Sequence, residues 1–207
     1  MNCFIQHLFN IIQQYIVRYD FIEWIKTKKM IIRSFWLRGL FTSCHTSVHF
    51  GKIGKIHGAK NISIDKGTFF HDFFYLTSWP EKKATQTFPI LVIGKNCDFG
   101  AYCHISCANK ILIGNNCLTG KWVTITDNNH GDSSIDSLAI PPKERAISSK
   151  GPIIIEDNVW IGDKATILPG VTIGKNSVIA ANAVITKDVP ANSIAVGCPA
   201  KIIFKRD

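Results

Sequence analysis

The stretch IEDNVW IGDKAT ILPGVT IGKNSV IAANAV ITKDVP, residues 155–190, decides the fold. Isoleucine opens every group of six, at Ile155, Ile161, Ile167, Ile173, Ile179 and Ile185. The fifth places hold Val159, Ala165, Val171, Ser177, Ala183 and Val189, all small or β-branched. An earlier block from residue 93 keeps the rule: IGKNCD, FGAYCH, ISCANK, two extra residues, then IGNNCL, TGKWVT and ITDNNH. A weaker copy starts at ISIDKGTFF, from Ile62.

A period of six is neither the 3.6 of a helix nor the alternation of an ordinary strand. It suits short strands laid around a triangular prism, one hexad per face and three per coil. The opening side chain points inward and stacks on its equivalent 18 residues later. The fifth residue must be small because it lies inside, near a corner. Successive coils pair as parallel strands at about 4.8 Å spacing. A β-sandwich has no fixed six-residue period. Gly94, Gly114, Gly162 and Gly174 follow the opening residues, and Asn96, Asn116, Asn158, Asn176 and Asn182 come two places later. Both residue types tolerate left-handed backbone, so both are expected in that conformation.

The 207 residues are 46% hydrophobic and 19% charged, a globular composition. The net charge of +9 suits nucleic acid, an anionic membrane or a phosphorylated small molecule. No recognisable nucleic-acid module accompanies it, so nucleic acid is not an expected partner. Seven cysteines, with no CxxC pair, read as reduced thiols. No export signal or membrane-spanning run is expected, which points to a cytoplasmic protein.

Two segments break the period. Residues 1–49 are expected to be helical, with Phe4, Ile5, Leu8, Phe9, Ile12, Tyr15, Ile16 and Tyr19 at helical spacing. They would pack on the first coil of a prism domain spanning 50–207. Their basic, aromatic run KTKKMIIRSFWLRGLF also suits peripheral contact with the inner face of an anionic membrane. The second break is an excursion at about residues 127–152, longer than most connections in compact domains. His130 stands at its root, at the sixth place of its hexad.

ITDNNHG (125–131), DNVWIGDKATILPGVTIG (157–174) and VITKDVPANSIAVGCPAKII (184–203) resemble the hexapeptide-repeat acyltransferases, above all the sugar O-acetyltransferases of bacterial surface-polysaccharide synthesis. The resemblance implies an all-β, left-handed parallel β-helix, a hand that the ordinary crossover rule does not supply. It implies an acetyl-CoA-dependent transferase acting on a sugar hydroxyl, with His130 as general base. An imidazole titrates near neutrality, so it can take the hydroxyl proton during attack on the thioester and return it to the departing thiol. Asp127 and Asp132 are candidates to orient that imidazole. Family resemblance places the donor near Trp160 and Asp163, then along Ala181 and Thr186 toward Lys187 and Lys201, whose charges suit phosphates. It further implies a homotrimer with the donor between neighbouring chains.

Where galactoside acetyltransferases carry polar residues on the acceptor side, this chain has Asp98, Gly100 and Ala108, so a different acceptor is expected. A route through Cys97, Cys103 or Cys117 is disfavoured because these occupy the small, buried fifth places. Two rivals keep the fold: N-acetylation of a nucleotide-linked amino sugar, and a zinc lyase using His104 and His130. No third histidine stands at a suitable repeat position, so no metal is expected.

Overall fold

The computed structural model describes residues 3–15, 19–79, 90–131 and 134–205. Among them, residues from Ser43 to Gly197 wind through a left-handed parallel β-helix with three faces. The first face stacks Ser43–Cys44, Ile62–Ile64, Leu91–Ile93, Ile111–Ile113, Ile153–Ile155 and Thr172–Ile173. The second stacks His49–Phe50, Phe69–Phe70, Asp98–Phe99, Leu118–Thr119, Trp160–Ile161 and Val178–Ile179, then closes with Ser193–Gly197 and the antiparallel Ala200–Lys205. The third stacks Ile53–His57, Phe74–Ser78, His104–Cys107, Thr124–Thr126, Thr166–Ile167 and Val184–Ile185.

The hexad arithmetic is visible in the register. Ile155 pairs with Ile173, Ile161 with Ile179 and Ile167 with Ile185, each 18 residues on. All six are buried, as are the fifth-place residues Val159, Ala165, Val171, Ser177, Ala183 and Val189. Cys97, Cys103 and Cys117 are buried at fifth places too.

The turns need a correction. The asparagines do adopt left-handed backbone: φ is 55° at Asn96 and Asn116 and 59–60° at Asn158, Asn176 and Asn182. Their amides also form a ladder at the corner between the first and second faces, each Nδ2 donating to the next Oδ1: 3.3 Å from Asn96 to Asn116, 3.2 Å to Asn158, 3.1 Å to Asn176 and 2.9 Å to Asn192. Gly94, Gly114, Gly162 and Gly174 are not among the positive-φ residues. They are glycine because the neighbouring coil lies directly against them. A Cβ on Gly94 would sit 2.5 Å from the Gly114 carbonyl oxygen, and one on Gly174 would sit 2.3 Å from the Ala191 nitrogen.

The prism also starts before residue 50. Ser43–Cys44 pairs with Ser63–Ile64, and His49–Phe50 with Phe69–Phe70. Phenylalanine replaces the inward isoleucine on the second face of these early coils, which hides the hexad. Phe41, Phe50, Phe70 and Phe99 form a buried stack with centroids 5.4, 5.3 and 4.8 Å apart.

Helices α1 (Cys3–Tyr15) and α2 (Tyr19–Arg38) precede the prism, and Ile16 lies outside the described residues. An uncovered first coil would expose unpaired backbone groups. The C-terminal half of α2 covers it. Ser34 Oγ accepts the Phe50 N–H at 2.8 Å, Arg33 Nη1 donates to the Phe50 carbonyl at 3.2 Å, and Arg38 Nη2 donates to the Val48 carbonyl at 3.1 Å. Packing on the first coil therefore falls to α2; on α1, Phe4, Ile5, Leu8 and Phe9 are exposed. No helix among the described residues is long and apolar enough to cross a membrane.

Candidate active site

After Thr126 the chain leaves the third face. Asn129–His130 forms a short antiparallel ribbon with Ile147–Ser148, with His130 opposite Ile147. The ribbon is pinned by the Gly131 N–H on the Ala146 carbonyl at 2.8 Å and by Ser148 Oγ on the Gly131 carbonyl at 2.7 Å. The excursion carries one short helix, α3 (Ile135–Ala139), capped by Ser134 Oγ accepting from the Ser137 N–H at 3.2 Å. It returns to the prism at Ile153.

Between this ribbon and the third face lies a cavity of about 570 Å³. Tyr75, Thr77, His104 and Ser106 line its floor from two successive coils, Lys55 and Trp79 flank it, and Asn128, His130 and Ile147 form its excursion side. Asn128 is fixed: its Nδ2 donates to the Ser106 carbonyl at 3.0 Å, to Ser106 Oγ at 3.2 Å and to Asp127 Oδ1 at 3.1 Å. His104 stands edge-on to Tyr75, ring centroids 5.6 Å apart. Burial pushes its pKa below the ordinary imidazole value, and the nearby Lys55 charge pushes in the same direction. The cavity thus pairs exposed His130 with a second imidazole held toward its neutral form. Lys55, Tyr75, Thr77, Trp79, Ser106 and Asn128 were not singled out from sequence. Their signal is alternation along the third face, which a hexad search does not read.

Asp127 has a different task from orienting His130. It is fully buried and accepts the backbone N–H groups of Ala108 (2.7 Å), Asn109 (2.9 Å) and Lys110 (2.8 Å), besides the Cys107 thiol at 3.4 Å. Its oxygens are spent on holding the corner of the preceding coil. A carboxylate at a turn satisfies backbone donors first. Asp132 lies outside the described residues.

Residues expected at the donor do not line this cavity. Trp160 is 52% exposed on the second face. Asp163 and Ala181 occupy the corner between second and third faces, where Asp163 Oδ1 accepts the Lys121 N–H at 2.9 Å. Thr186 and Lys187 follow the last strand of the third face, and Lys201 lies on the antiparallel closing strand. Cys97, Cys103 and Cys117 are buried inside the coils; burial pushes the Cys103 thiol up to about 12 and raises that of Cys107, whereas a hydrogen bond with Cys97 lowers that of Cys117. Among the described residues no three His, Cys, Asp or Glu side chains converge as a metal cage requires.

The sequence profile of the bacterial transferase hexapeptide family (six repeats) matches residues 152–187. WbbJ of Escherichia coli K12, provisionally named a lipopolysaccharide biosynthesis O-acetyl transferase, is 36% identical over 56% of this chain and 61% of its own. Galactoside O-acetyltransferase of Lactococcus lactis is 36% identical over 53% of each chain. The chain therefore spans about half the length of the curated relatives it matches. Among solved structures, the N-acyltransferase AntD from Bacillus cereus, in complex with dTDP-4-amino-4,6-dideoxyglucose and coenzyme A, superposes with a TM-score of 0.65. That match covers 84% of this chain and 89% of AntD at 18% identity, and it shows the shared fold alone. With its coils in hexad register and residues 152–187 matched by that profile, the chain carries the hexapeptide repeat of bacterial transferases.

Proposed function

We propose that the protein transfers an acetyl group from acetyl-CoA to a sugar hydroxyl of a bacterial surface polysaccharide or its precursor, with His130 as general base. The observation that carries this reading is the cavity itself. It sets an exposed imidazole across from Tyr75, Thr77, His104 and Ser106 of the third face, in a space large enough for a sugar ring. The names of the relatives WbbJ and galactoside O-acetyltransferase support the reaction class.

In this reading the imidazole of His130 takes the proton of the acceptor hydroxyl as its oxygen attacks the thioester carbonyl. A tetrahedral oxyanion forms, the carbon–sulfur bond breaks, and the proton passes to the departing thiolate. Hydrogen-bond donors around the oxyanion lower the barrier most. His104, beside the same cavity, supplies a ring N–H for that charge or for the sugar. Trp160 and Asp163 would receive the thiol end of the donor, Ala181 and Thr186 its arm, and Lys187 and Lys201 its phosphates.

Trp160 lies on the second face and Asp163 and Ala181 at its corner with the third, and none of the six donor residues lines the His130 cavity. We read this as a site completed by a neighbouring copy in a homotrimer. Light scattering tests it: a fully active monomer contradicts the shared site. We place the protein in the cytoplasm, at the inner face of the membrane. The exposed apolar residues of α1 and the lysines of α2, Lys26, Lys28 and Lys29, support that contact.

Proton NMR of the polysaccharide from a deletion strain, before and after mild base, tests the reaction. Loss of a base-labile acetyl signal supports O-transfer. Loss of a base-stable acetamide, or of the whole polymer, assigns the protein to N-acetylation of a precursor instead.

A further inference from the structure

The two long corners of the prism solve the same backbone problem differently. Between the first and second faces, left-handed backbone falls on asparagine at Asn96, Asn116, Asn158, Asn176 and Asn192. Asparagine is the side chain that adopts this conformation most readily after glycine. Between the second and third faces the equivalent positions are Phe73 (φ 62°), Tyr102 (61°), Trp122 (62°), Lys164 (59°) and Asn182 (60°). Asn182 shows that asparagine serves this corner too. Three aromatic rings in left-handed backbone are therefore an expensive choice that folding does not require.

The three rings form a pillar. Phe73 and Tyr102 stack at 5.0 Å with planes 20° apart, and Tyr102 and Trp122 at 4.0 Å with planes 1° apart. Lys52 Nζ lies 5.5 Å over the outer face of Phe73. At the other end no aromatic follows, because the next position is Lys164. Trp122 is 53% exposed, with one face held by Tyr102. The rings beneath fix its plane in advance, which lowers the ordering cost of a ligand that stacks on the side away from Tyr102.

Position adds a second observation. The pillar occupies the same three coils that build the floor and root of the cavity, and only those. Tyr75, His104 and Thr124 follow Phe73, Tyr102 and Trp122 by two residues, so they are the next outward-facing row. Thr77, Ser106 and Thr126 are the row after that, and His130 follows. From the corner to that second row is four residues, about 13 Å at strand rise. This exceeds one pyranose ring and matches about three linked rings.

We propose that the Trp122 pillar is a subsite for a glycan chain whose modified residue lies in the His130 cavity, so that the acceptor is an oligomer or polymer rather than a free monosaccharide. Pyranose rings present a face of C–H groups that packs on an aromatic face, and equatorial hydroxyls at the ring edge remain in water. This inference rests on the sugar-transferase reading above and adds the length of the acceptor to it.

The test is the double substitution Tyr102→Asn/Trp122→Asn. It places at both positions the residue that the same corner already carries at Asn182, so the fold is expected to persist, checked by circular dichroism and thermal melting. The full-length parent is first screened on an array of immobilised bacterial surface oligosaccharides. The best-retained glycan is then titrated by calorimetry as hexamer and as monomer, with acetyl-CoA titrated separately. The parent is expected to bind the hexamer at least tenfold more tightly than the monomer. The variant is expected to bring that ratio to about one, with acetyl-CoA affinity unchanged. No retained glycan, a variant that keeps the full length preference, or a variant that loses its oligomeric mass overturns the proposal; the last outcome assigns the pillar to contact between copies. If the ratio collapses but the parent transfers no acetyl group, the subsite stands and the transferase reading falls. If transfer proceeds and the ratio survives substitution, the reverse holds.

Discussion

Removing the Asp127 carboxylate separates a structural role from a catalytic one. Asp127 accepts three backbone N–H groups, from Ala108, Asn109 and Lys110, at 2.7–2.9 Å from a fully buried position. A hydrogen bond to a charged group contributes about 1.5–3 kcal/mol. The low end applies here, since the amides of Asn109 and Lys110 are only part-buried and water can reach them. Asp127→Ala is therefore expected to cost about 4 kcal/mol. Asp127→Asn keeps one acceptor oxygen but turns an NH2 toward an N–H donor, and is expected to cost about 2–3 kcal/mol. Urea titration followed by circular dichroism reads both. With a slope of about 2–3 kcal/mol/M, the alanine variant moves the midpoint down by roughly 1.5 M. An Asp127→Asn variant within about 0.5 kcal/mol of the parent refutes the argument. A residue that oriented His130 would give the opposite pattern: unchanged stability and lost turnover.

Three further outcomes follow from the packing and the titrating groups. The Cys103 thiol is pushed up by burial to about 12 from an ordinary 9.0, so the folded chain holds a proton that the unfolded chain releases first. Its contribution is present below pH 9 and is lost as pH rises toward 12, at about 1.4 kcal/mol per pH unit. Cys103→Ala should flatten the alkaline fall in melting temperature, and an unaltered fall contradicts this. His104, held down by burial and by Lys55, should titrate at higher pH in Lys55→Met, read by the ring proton shifts in NMR. A folded pKa below the unfolded one costs stability as pH falls below the ordinary imidazole range, so that variant should also tolerate acid better. Finally, a Cβ at Gly114 would lie 2.4 Å from Asp157 Oδ1 and 2.8 Å from its backbone nitrogen. Gly114→Ala should therefore cost about 2 kcal/mol by overpacking. An unchanged urea midpoint would show that the coils can part there without cost.

The prism was legible because its repeat is a statement about stacking. An isoleucine that recurs every six residues can only be buried by its equivalents in adjacent coils, and Ile155, Ile173 and their neighbours do this. The first coil was hidden because Phe50 and Phe70 fill the inward positions, and phenylalanine carries no hexad signature by itself. The role of the glycines is not legible, because backbone contact between coils and positive φ select the same residue and only the fold separates them. His130 was legible as the residue at which the period fails. Its cavity partners were not, because Lys55, Tyr75 and the strand that holds His104 and Ser106 come from three different coils and meet only through winding. Asp127 shows the opposite hazard: three residues from a histidine in sequence, it faces the amides of another coil.

His130→Ala, with turnover and acetyl-CoA affinity measured on the same preparation, tests the role of His130 as general base. A base acts on the acceptor proton in the transition state and not on the donor. Acetyl transfer is expected to fall about a hundredfold or more, with acetyl-CoA binding by calorimetry unchanged. Turnover near that of the parent would contradict the assignment of His130.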